Sequence, residues 1–191
     1  MTKFLRESWL VLTMSVTFAL MLAGAQATFG PKIEANKIAE LEQAAVAVIP
    51  VEVAQLEKMS VNVENQDKTV FKCLDQGGAI VGWTLVDSDF GFQDKIKLVV
   101  GLSSDGSQIT GLQVVENTET PGLGNKIAEA DWSSQYEGLV AEKDVVVVKG
   151  PRSQETNEVS AITGATISSE AVTRIANKVI RQVRPKLDEL R

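Results

Sequence analysis

The chain has 191 residues, of which 44% are hydrophobic, and it carries a formal net charge of -6 at neutral pH. This acidic balance argues against nucleic acid as a partner, because phosphate contacts need an excess of lysine and arginine. The sequence has no histidine and one cysteine, which excludes Ser-His-Asp triads, histidine-ligated metals, internal disulfides and cysteine-ligated clusters. Redox or group-transfer chemistry would therefore need an imported cofactor.

An uncharged apolar segment lies near the N-terminus, over Ser8–Gly30. As a helix it would be roughly 34 Å long, enough to cross a hydrocarbon core of about 30 Å. Trp9 and Phe29 lie near its ends, where aromatic belts occur. We expect a transmembrane anchor over residues 1–30. The alternative is a cleaved signal peptide, since Ala25-Gln26-Ala27 resembles a cleavage site; either one sends the rest of the chain across the membrane.

The segment after the anchor continues a helical pattern and predicts a membrane-proximal helix or stalk over residues 31–48. Pro31 either kinks the anchor or starts a new helix. An extracytoplasmic domain is assigned to residues 49–191, with a short helix expected over Val53–Met59.

Four segments separated by short turns have strand character, which predicts antiparallel pairing. The most regular, Lys95–Leu102, alternates apolar residues and so has one buried face. The polar stretch Asp87–Gln93 is expected to be a solvated loop, an alternative being a metal site at Asp87 and Asp89. The predicted strands are Val70–Leu74, Ala79–Val86, Lys95–Leu102 and Ile109–Glu116.

The C-terminal half mixes helices and loops. Gly and Pro residues forbid regular structure over Thr118–Asn125. We expect helix over Lys126–Tyr136, a short buried strand over Asp144–Val148, and an amphipathic helix over Ser168–Val183 capped by Ser168 or Ser169. The fold class is therefore α+β: one transmembrane helix, then one mostly antiparallel sheet domain with flanking helices.

Thr163-Gly164-Ala165-Thr166 follows a short apolar run and precedes the last helix. Small residues leave room for a bulky group, and a helix N-terminus offers unpaired N–H groups and a positive dipole end. These features indicate an anion site such as a phosphate cradle. Four residues alone favour a plain capped helix whose Thr and Ser residues satisfy its own N–H groups, so a second feature is needed.

The second feature is the glycine-rich loop Glu119-Thr120-Pro121-Gly122-Leu123-Gly124. Together with Ile162–Ser169 (Ile-Thr-Gly-Ala-Thr-Ile-Ser-Ser), it resembles the FMN-binding domain of the G subunit of the Rnf electron-transport complex and of the C subunit of the sodium-translocating NADH:quinone reductase. The short length is more similar to the Rnf protein. A single FMN site requires the two loops to face one spot.

The resemblance implies that Thr166 carries FMN through a phosphoester bond, made by a separate flavin transferase that uses FAD. It implies that Thr163, Gly164 and Ala165 line the phosphate and tether. It also implies that Glu119, Thr120, Leu123 and Gly124 lie near the isoalloxazine ring. The domain would transfer electrons between other redox subunits of a membrane complex, with little activity alone and no catalytic or metal-ligating residue of its own.

One departure concerns Ser160, where the family usually has the aspartate that belongs to the transferase recognition pattern. The serine at this position affects the expected extent of flavin attachment to Thr166. Two other functions remain open from the sequence: a module that binds FMN without a bond, and a membrane-anchored scaffold without a cofactor. Two glycine-rich loops argue against the scaffold.

Overall fold

A computed structural model of the protein describes residues 2–63, 65–153 and 156–190, with side chains from Ser8 onward. The first helix, α1 (Thr2–Ala47), contains Pro31 in its interior, so no new helix starts there. The chain divides into two units, and the compact second unit begins at Leu41. The last turns of α1 therefore belong to the compact unit.

From Ser8 onward, α1 is long and apolar enough to cross a membrane, by length and composition. Its apolar side chains are exposed, with Leu22 at 70%. Contiguous exposed apolar surface of this kind is typical of a membrane or protein contact.

Five strands form one antiparallel sheet in sequence order, each paired with the next. The predicted strands are confirmed, but two predictions are wrong. A strand lies where a helix was expected over Val53–Met59, and the third strand continues through Asp87 to Phe90 where a loop was expected. The strands are β1 (Gln55–Val63), β2 (Gln66–Leu74), β3 (Ile80–Phe90), β4 (Lys95–Ser103) and β5 (Ile109–Glu116).

The C-terminal half adds helices and a small parallel sheet. The expected helix over Lys126–Tyr136 is present as α2 with a 3-10 helix on each side, and the expected short strand is present but partly exposed, with Val146 at 54%. The α+β prediction is confirmed. The elements are 3-10 helix Gly124–Ala128, α2 (Ala130–Ser133), 3-10 helix Ser134–Tyr136, β6 (Val146–Val148), β7 (Glu158–Ser160), α3 (Thr166–Val183) and 3-10 helix Arg184–Leu190.

The five-stranded sheet is covered on both faces. One face packs against α3 in a cluster that includes Leu98 and Ile175, and the other packs against the end of α1 in a cluster that includes Ala45 and Val99. The predicted apolar face of β4 is the one that packs toward α3, and it is fully buried. The first turn of α3 is thereby held beside the loops at one end of the sheet.

Hydroxyl groups of the sheet also bond to the end of α1. Thr84 Oγ1 donates to the carbonyl of Ala45 over 2.8 Å, and Thr110 Oγ1 donates to the carbonyl of Val48 over 2.8 Å. A Cβ atom at Gly111 would lie 3.0 Å from that same Val48 oxygen. The absent side chain therefore lets the backbone after α1 lie directly on the sheet.

Candidate functional site

The two glycine-rich loops line one cavity of about 480 Å³, as the sequence predicts. A Cβ atom at Gly164 would lie 3.2 Å from Leu123 Cδ2, so the two loops are within contact distance at this point. Gly164 has φ +81°, a conformation that side-chain-bearing residues rarely adopt. The lining residues are Phe92, Thr120, Leu123, Gly124, Gly164, Ala165, Thr166, Ile167 and Ser168.

The N-terminus of α3 opens into this cavity. The helix begins at Thr166, and its N-cap residue Ala165 makes no side-chain hydrogen bond. The prediction that Ser168 or Ser169 caps the helix is wrong, because Ser168 donates to Glu119 and Ser169 donates to the Ala165 carbonyl. Within the described residues, the N–H groups of Thr166, Ile167 and Ser168 have no acceptor. Three free amides at a positive dipole end suit an anion.

The two threonines of the motif have different positions. Thr166 is half-buried and lines the cavity, and its hydroxyl has no hydrogen-bond partner in the described part of the chain. Thr163 is exposed and does not line the cavity. Only Thr166 therefore has its hydroxyl beside both the free amides and the cavity.

Glu119 lies behind the cavity wall rather than on it. Its side chain is buried, and its carboxylate accepts hydrogen bonds from the N–H groups of Phe92 (2.8 Å) and Gln93 (3.2 Å) and from Ser168 Oγ (2.7 Å). These donors come from the β3–β4 connection and from the first turn of α3. One carboxylate therefore joins the three segments that enclose the cavity.

Glycines permit this close approach to Glu119. A Cβ atom at Gly124 would lie 2.9 Å from both Glu119 Oε2 and Ser168 Oγ, and one at Gly91 would collide with Glu119 Oε1. Such short contacts force a shift of the neighbouring atoms. The loop is further tied by Gln93, whose Nε2 donates to Thr120 Oγ1 over 2.9 Å.

Exposed apolar side chains surround the cavity. Phe92, Ile167 and Leu123 are 60%, 55% and 46% exposed and all three line it. The resemblance singles out Leu123, and the loop position of Phe92 after Gly91 makes it a second candidate for a cofactor contact. The apolar stripe of α3 predicts burial for Ile167, so no sequence signal identifies it as a cavity residue.

Two charged side chains near the cavity, those of Asp89 and Arg174, form hydrogen bonds with the backbone of Phe90. The N–H of Phe90, at the end of β3, donates to Asp89, and this bond is the main cause that holds the pKa of Asp89 below its usual value. Arg174 donates to the Phe90 carbonyl over 2.6 Å. Among the described residues, no group of three His, Cys, Asp or Glu side chains could hold a metal ion.

Asp87 is not in a solvated loop, so that prediction is wrong. It is buried, and Lys68 Nζ lies 2.6 Å from its Oδ1. Cys73, on β2, is also buried, and burial raises the pKa of its thiol.

Ser160 lies on β7 with its polar groups bonded to neighbouring segments. Its hydroxyl oxygen accepts from the N–H of Arg152 over 3.0 Å, and its carbonyl accepts from Trp132 Nε1 over 2.8 Å. The position that departs from the family pattern is therefore bonded to the segments around β7 and does not line the cavity.

Comparison with known proteins identifies the family. A family model described as an FMN-binding domain matches residues 91–181. The chain is 32% identical over 169 residues to the G subunit of the ion-translocating oxidoreductase complex of Methanosarcina acetivorans, and the match covers 85% of this chain and 86% of that protein. The chain belongs to the family of Rnf G subunits. The resemblance found in the sequence is thereby confirmed.

Other members of this family match a shorter region. The G subunit of the Na(+)-translocating ferredoxin:NAD(+) oxidoreductase complex of Acetobacterium woodii is 41% identical over 105 residues, covering 54% of this chain. The match covers 50% of the length of that relative, so the chain spans about half of it.

Two solved structures share the fold. NqrC of Shewanella oneidensis matches with a TM-score of 0.60 and 24% identity, over 78% of this chain and 72% of that one. The C subunit of the Na(+)-translocating NADH-quinone reductase of Parabacteroides distasonis matches with a TM-score of 0.63 and 21% identity, over 83% and 95%.

Proposed function

We propose that this protein is an electron-transfer subunit of an Rnf-type ion-translocating oxidoreductase complex, with FMN attached through a phosphoester to Thr166. The observation that carries the proposal is the position of the Thr166 hydroxyl. It is free of hydrogen bonds within the described structure, and it lies at a cavity beside three free backbone amides.

The residues of the cavity fit FMN in two parts. The amides of Thr166, Ile167 and Ser168 suit the phosphate, and Gly164 and Ala165 leave room for the tether. The exposed apolar side chains of Phe92, Leu123 and Ile167 at the rim suit the apolar faces of the isoalloxazine ring. The cavity volume of about 480 Å³ lies in the range of cofactor pockets, about 300–1,000 Å³.

FMN supplies one- and two-electron transfer chemistry when it is bound. The chain's own residues bind and orient it. Thr120 and Gly124 line the site, and Glu119 fixes the loops from behind. No base contacts the Thr166 hydroxyl in the described residues, which supports attachment by a separate flavin transferase rather than by the chain itself. A tethered carrier also keeps a high effective concentration at its partners.

The proposal includes an arrangement in the cell. Residues 1–30 anchor the chain in the cytoplasmic membrane as a single span, residues 31–48 form a membrane-proximal helix, and residues 49–191 lie on the extracytoplasmic side. The partners are other redox subunits of the membrane complex. Support comes from the exposed apolar surface of α1 and from the relatives in ion-translocating complexes.

The test compares two threonines of one motif. Thr166→Val and Thr163→Val are expressed in cells that contain the flavin transferase, and the membranes are run on a denaturing gel. We expect a fluorescent band in the natural protein and in Thr163→Val, none in Thr166→Val, and an FMN adduct on the peptide that contains Thr166. Fluorescence that persists in Thr166→Val contradicts the proposal. Release of free FMN on acid precipitation of the natural protein indicates non-covalent binding instead.

A further inference from the structure

The turn that precedes Thr166 is closed by its own hydrogen bond. The N–H of Ala165 donates to the carbonyl of Ile162 over 2.9 Å, so residues 162–165 form a four-residue turn. Gly164 is the third residue of the turn and has φ +81°, a conformation for which turns use glycine. The turn lies between β7 and Thr166, the first residue of α3. Its shape therefore decides where the Thr166 hydroxyl lies.

The side chain of Ser169 joins the two ends of this turn. Its hydroxyl oxygen accepts from the N–H of Ile162 over 3.1 Å and donates to the carbonyl of Ala165 over 3.0 Å. A hydroxyl group can accept and donate at the same time, which an alanine or valine side chain cannot do. In the described part of the chain, the N–H of Ile162 has no other acceptor. Ser169 therefore fixes the turn from inside the protein.

Ser168 and Ser169 are neighbours in sequence but bond to different segments. Ser168 lines the cavity and donates to Glu119 of the glycine-rich loop. Ser169 does not line the cavity, and it is fully buried, with 0% of its surface exposed. A molecule that approaches Thr166 from the cavity therefore does not contact Ser169. Any effect of Ser169 on the chemistry of Thr166 acts through the turn.

Thr173 offers a comparison one helical turn further along α3. It is also buried, and its hydroxyl donates to the Ser169 carbonyl over 3.0 Å and bonds to the Tyr136 hydroxyl over 2.6 Å. Neither bond involves residues 162–165. Loss of the Thr173 hydroxyl would therefore weaken the packing of α3 without freeing the turn.

We propose that Ser169 is a positioning residue for flavin attachment, because it holds the turn in the conformation that presents the Thr166 hydroxyl to the flavin transferase. This inference rests on the proposed function. In the reaction, Thr166 Oγ1 forms a bond to the FMN phosphorus of FAD, the pyrophosphate bond breaks, AMP leaves, and the hydroxyl proton passes to a base of the transferase. The rate of such a step depends steeply on the alignment of the attacking oxygen.

The test measures the rate of flavin attachment to the full chain, produced in cells without the transferase and then incubated with purified transferase and FAD. We expect Ser169→Ala to lower the turnover number about tenfold, the factor that one or two hydrogen bonds of typical net strength supply. The KM for the chain should stay unchanged, because a fully buried side chain does not contact the transferase. Ser169→Thr keeps the hydroxyl and should recover most of the rate.

Thr173→Val is the matched control. It leaves the Tyr136 hydroxyl without its partner, so we expect it to lower the melting temperature at least as much as Ser169→Ala does. Its turnover number for attachment should nevertheless equal that of the natural protein. Equal losses of rate in the two variants, or an unchanged rate in Ser169→Ala, would overturn the proposal.

Hydrogen exchange on the flavin-free chain gives a second measurement that does not depend on attachment. We expect the Ile162 amide to exchange about tenfold faster in Ser169→Ala, because it loses its acceptor. The Ala161 amide, bonded to the Val148 carbonyl, is the internal control and should change little. Equal exchange at Ile162 in the two proteins refutes this inference alone. A natural protein that acquires no adduct on Thr166 refutes the proposed function, and this inference with it.

Discussion

Glu119 and Asp87 are both buried carboxylates, 4% and 8% exposed, but their partners differ in kind. Glu119 accepts three hydrogen bonds from uncharged donors, two backbone amides and the Ser168 hydroxyl. Asp87 Oδ1 forms an ion pair with the equally buried Lys68 and accepts from the N–H of Ser88 over 2.9 Å, while its Oδ2 atom has no partner among the described residues. The first carboxylate has donors on both oxygens, and the second on one.

The location of the partners gives the two residues different consequences. The donors of Glu119 come from segments that no strand ladder connects, so the carboxylate itself sets the distance between the loop and α3. Lys68 and Asp87 lie on β2 and β3, which already pair along their length. The hydrogen bonds of Glu119 therefore shape the cavity. The ion pair of Asp87, in contrast, adds one contact between two strands that are already paired.

The largest expected effect comes from breaking the ion pair. Lys68→Met leaves the Asp87 carboxylate buried without a counter-charge, with only the Ser88 N–H as donor, which we expect to lower the free energy of unfolding by about 3–5 kcal/mol. The double variant Lys68→Met/Asp87→Leu removes both charges and should recover most of the loss. Urea titrations followed by tryptophan fluorescence measure both, since Trp83 is fully buried. A double variant as unstable as the single one would show that the charges themselves stabilise the sheet.

An intermediate effect is expected at Glu119. Glu119→Ala leaves two amides and one hydroxyl without their acceptor, and we expect a loss of roughly 3 kcal/mol at about 1 kcal/mol or more for each group. It should also reduce the flavin adduct on Thr166. Glu119→Gln keeps an acceptor oxygen for the amides and gains a donor for Ser168, so its loss should be about 1 kcal/mol. Equal losses for the two variants would mean that the charge, and not the bonding pattern, holds the loops.

The smallest effect concerns Asp105, a carboxylate with similar uncharged donors but at the surface. The Ser103 hydroxyl, the Ser107 amide and the Ser107 hydroxyl lower its pKa from 3.8 to about 2. Because the folded-state pKa is depressed, its contribution to stability is present above about pH 4 and is lost as the pH falls toward 2. Asp105→Asn should therefore make the free energy of unfolding slightly less dependent on pH between 4 and 2. The same pH dependence of the free energy of unfolding in the variant and in the natural protein would contradict this prediction.

Much of the sheet is predictable from local pattern, and the failures have physical causes. β4 is predictable because its alternating apolar residues form one fully buried face, although Val99 on the opposite face is also buried, under the end of α1. β1 is an edge strand with mostly exposed positions, and the spacing of Val53, Leu56 and Met59 matches a helix instead. The end of β3 looks like a loop because Asp87 is polar, and its partner Lys68 is 19 residues away.

The site is predictable in its parts but not in its connections. Glycines and threonines identify both cavity loops, and their convergence is confirmed by the shared cavity. The role of Glu119 is not visible, because its donors lie 26, 27 and 49 residues away in sequence. The individual contacts of the eight residues assigned from the resemblance remain predictions.

The glycine and threonine contacts at the end of α1 set a limit on where the chain can be shortened. Ala45 and Val48 accept hydrogen bonds from Thr84 and Thr110, and the apolar cluster around Phe71 includes residues from Leu41 onward. A water-soluble fragment for crystallisation or electrochemistry must therefore begin at or before Leu41. A start after Ile49 would remove every α1-side member of this cluster and expose its apolar residues on the sheet, which favours aggregation.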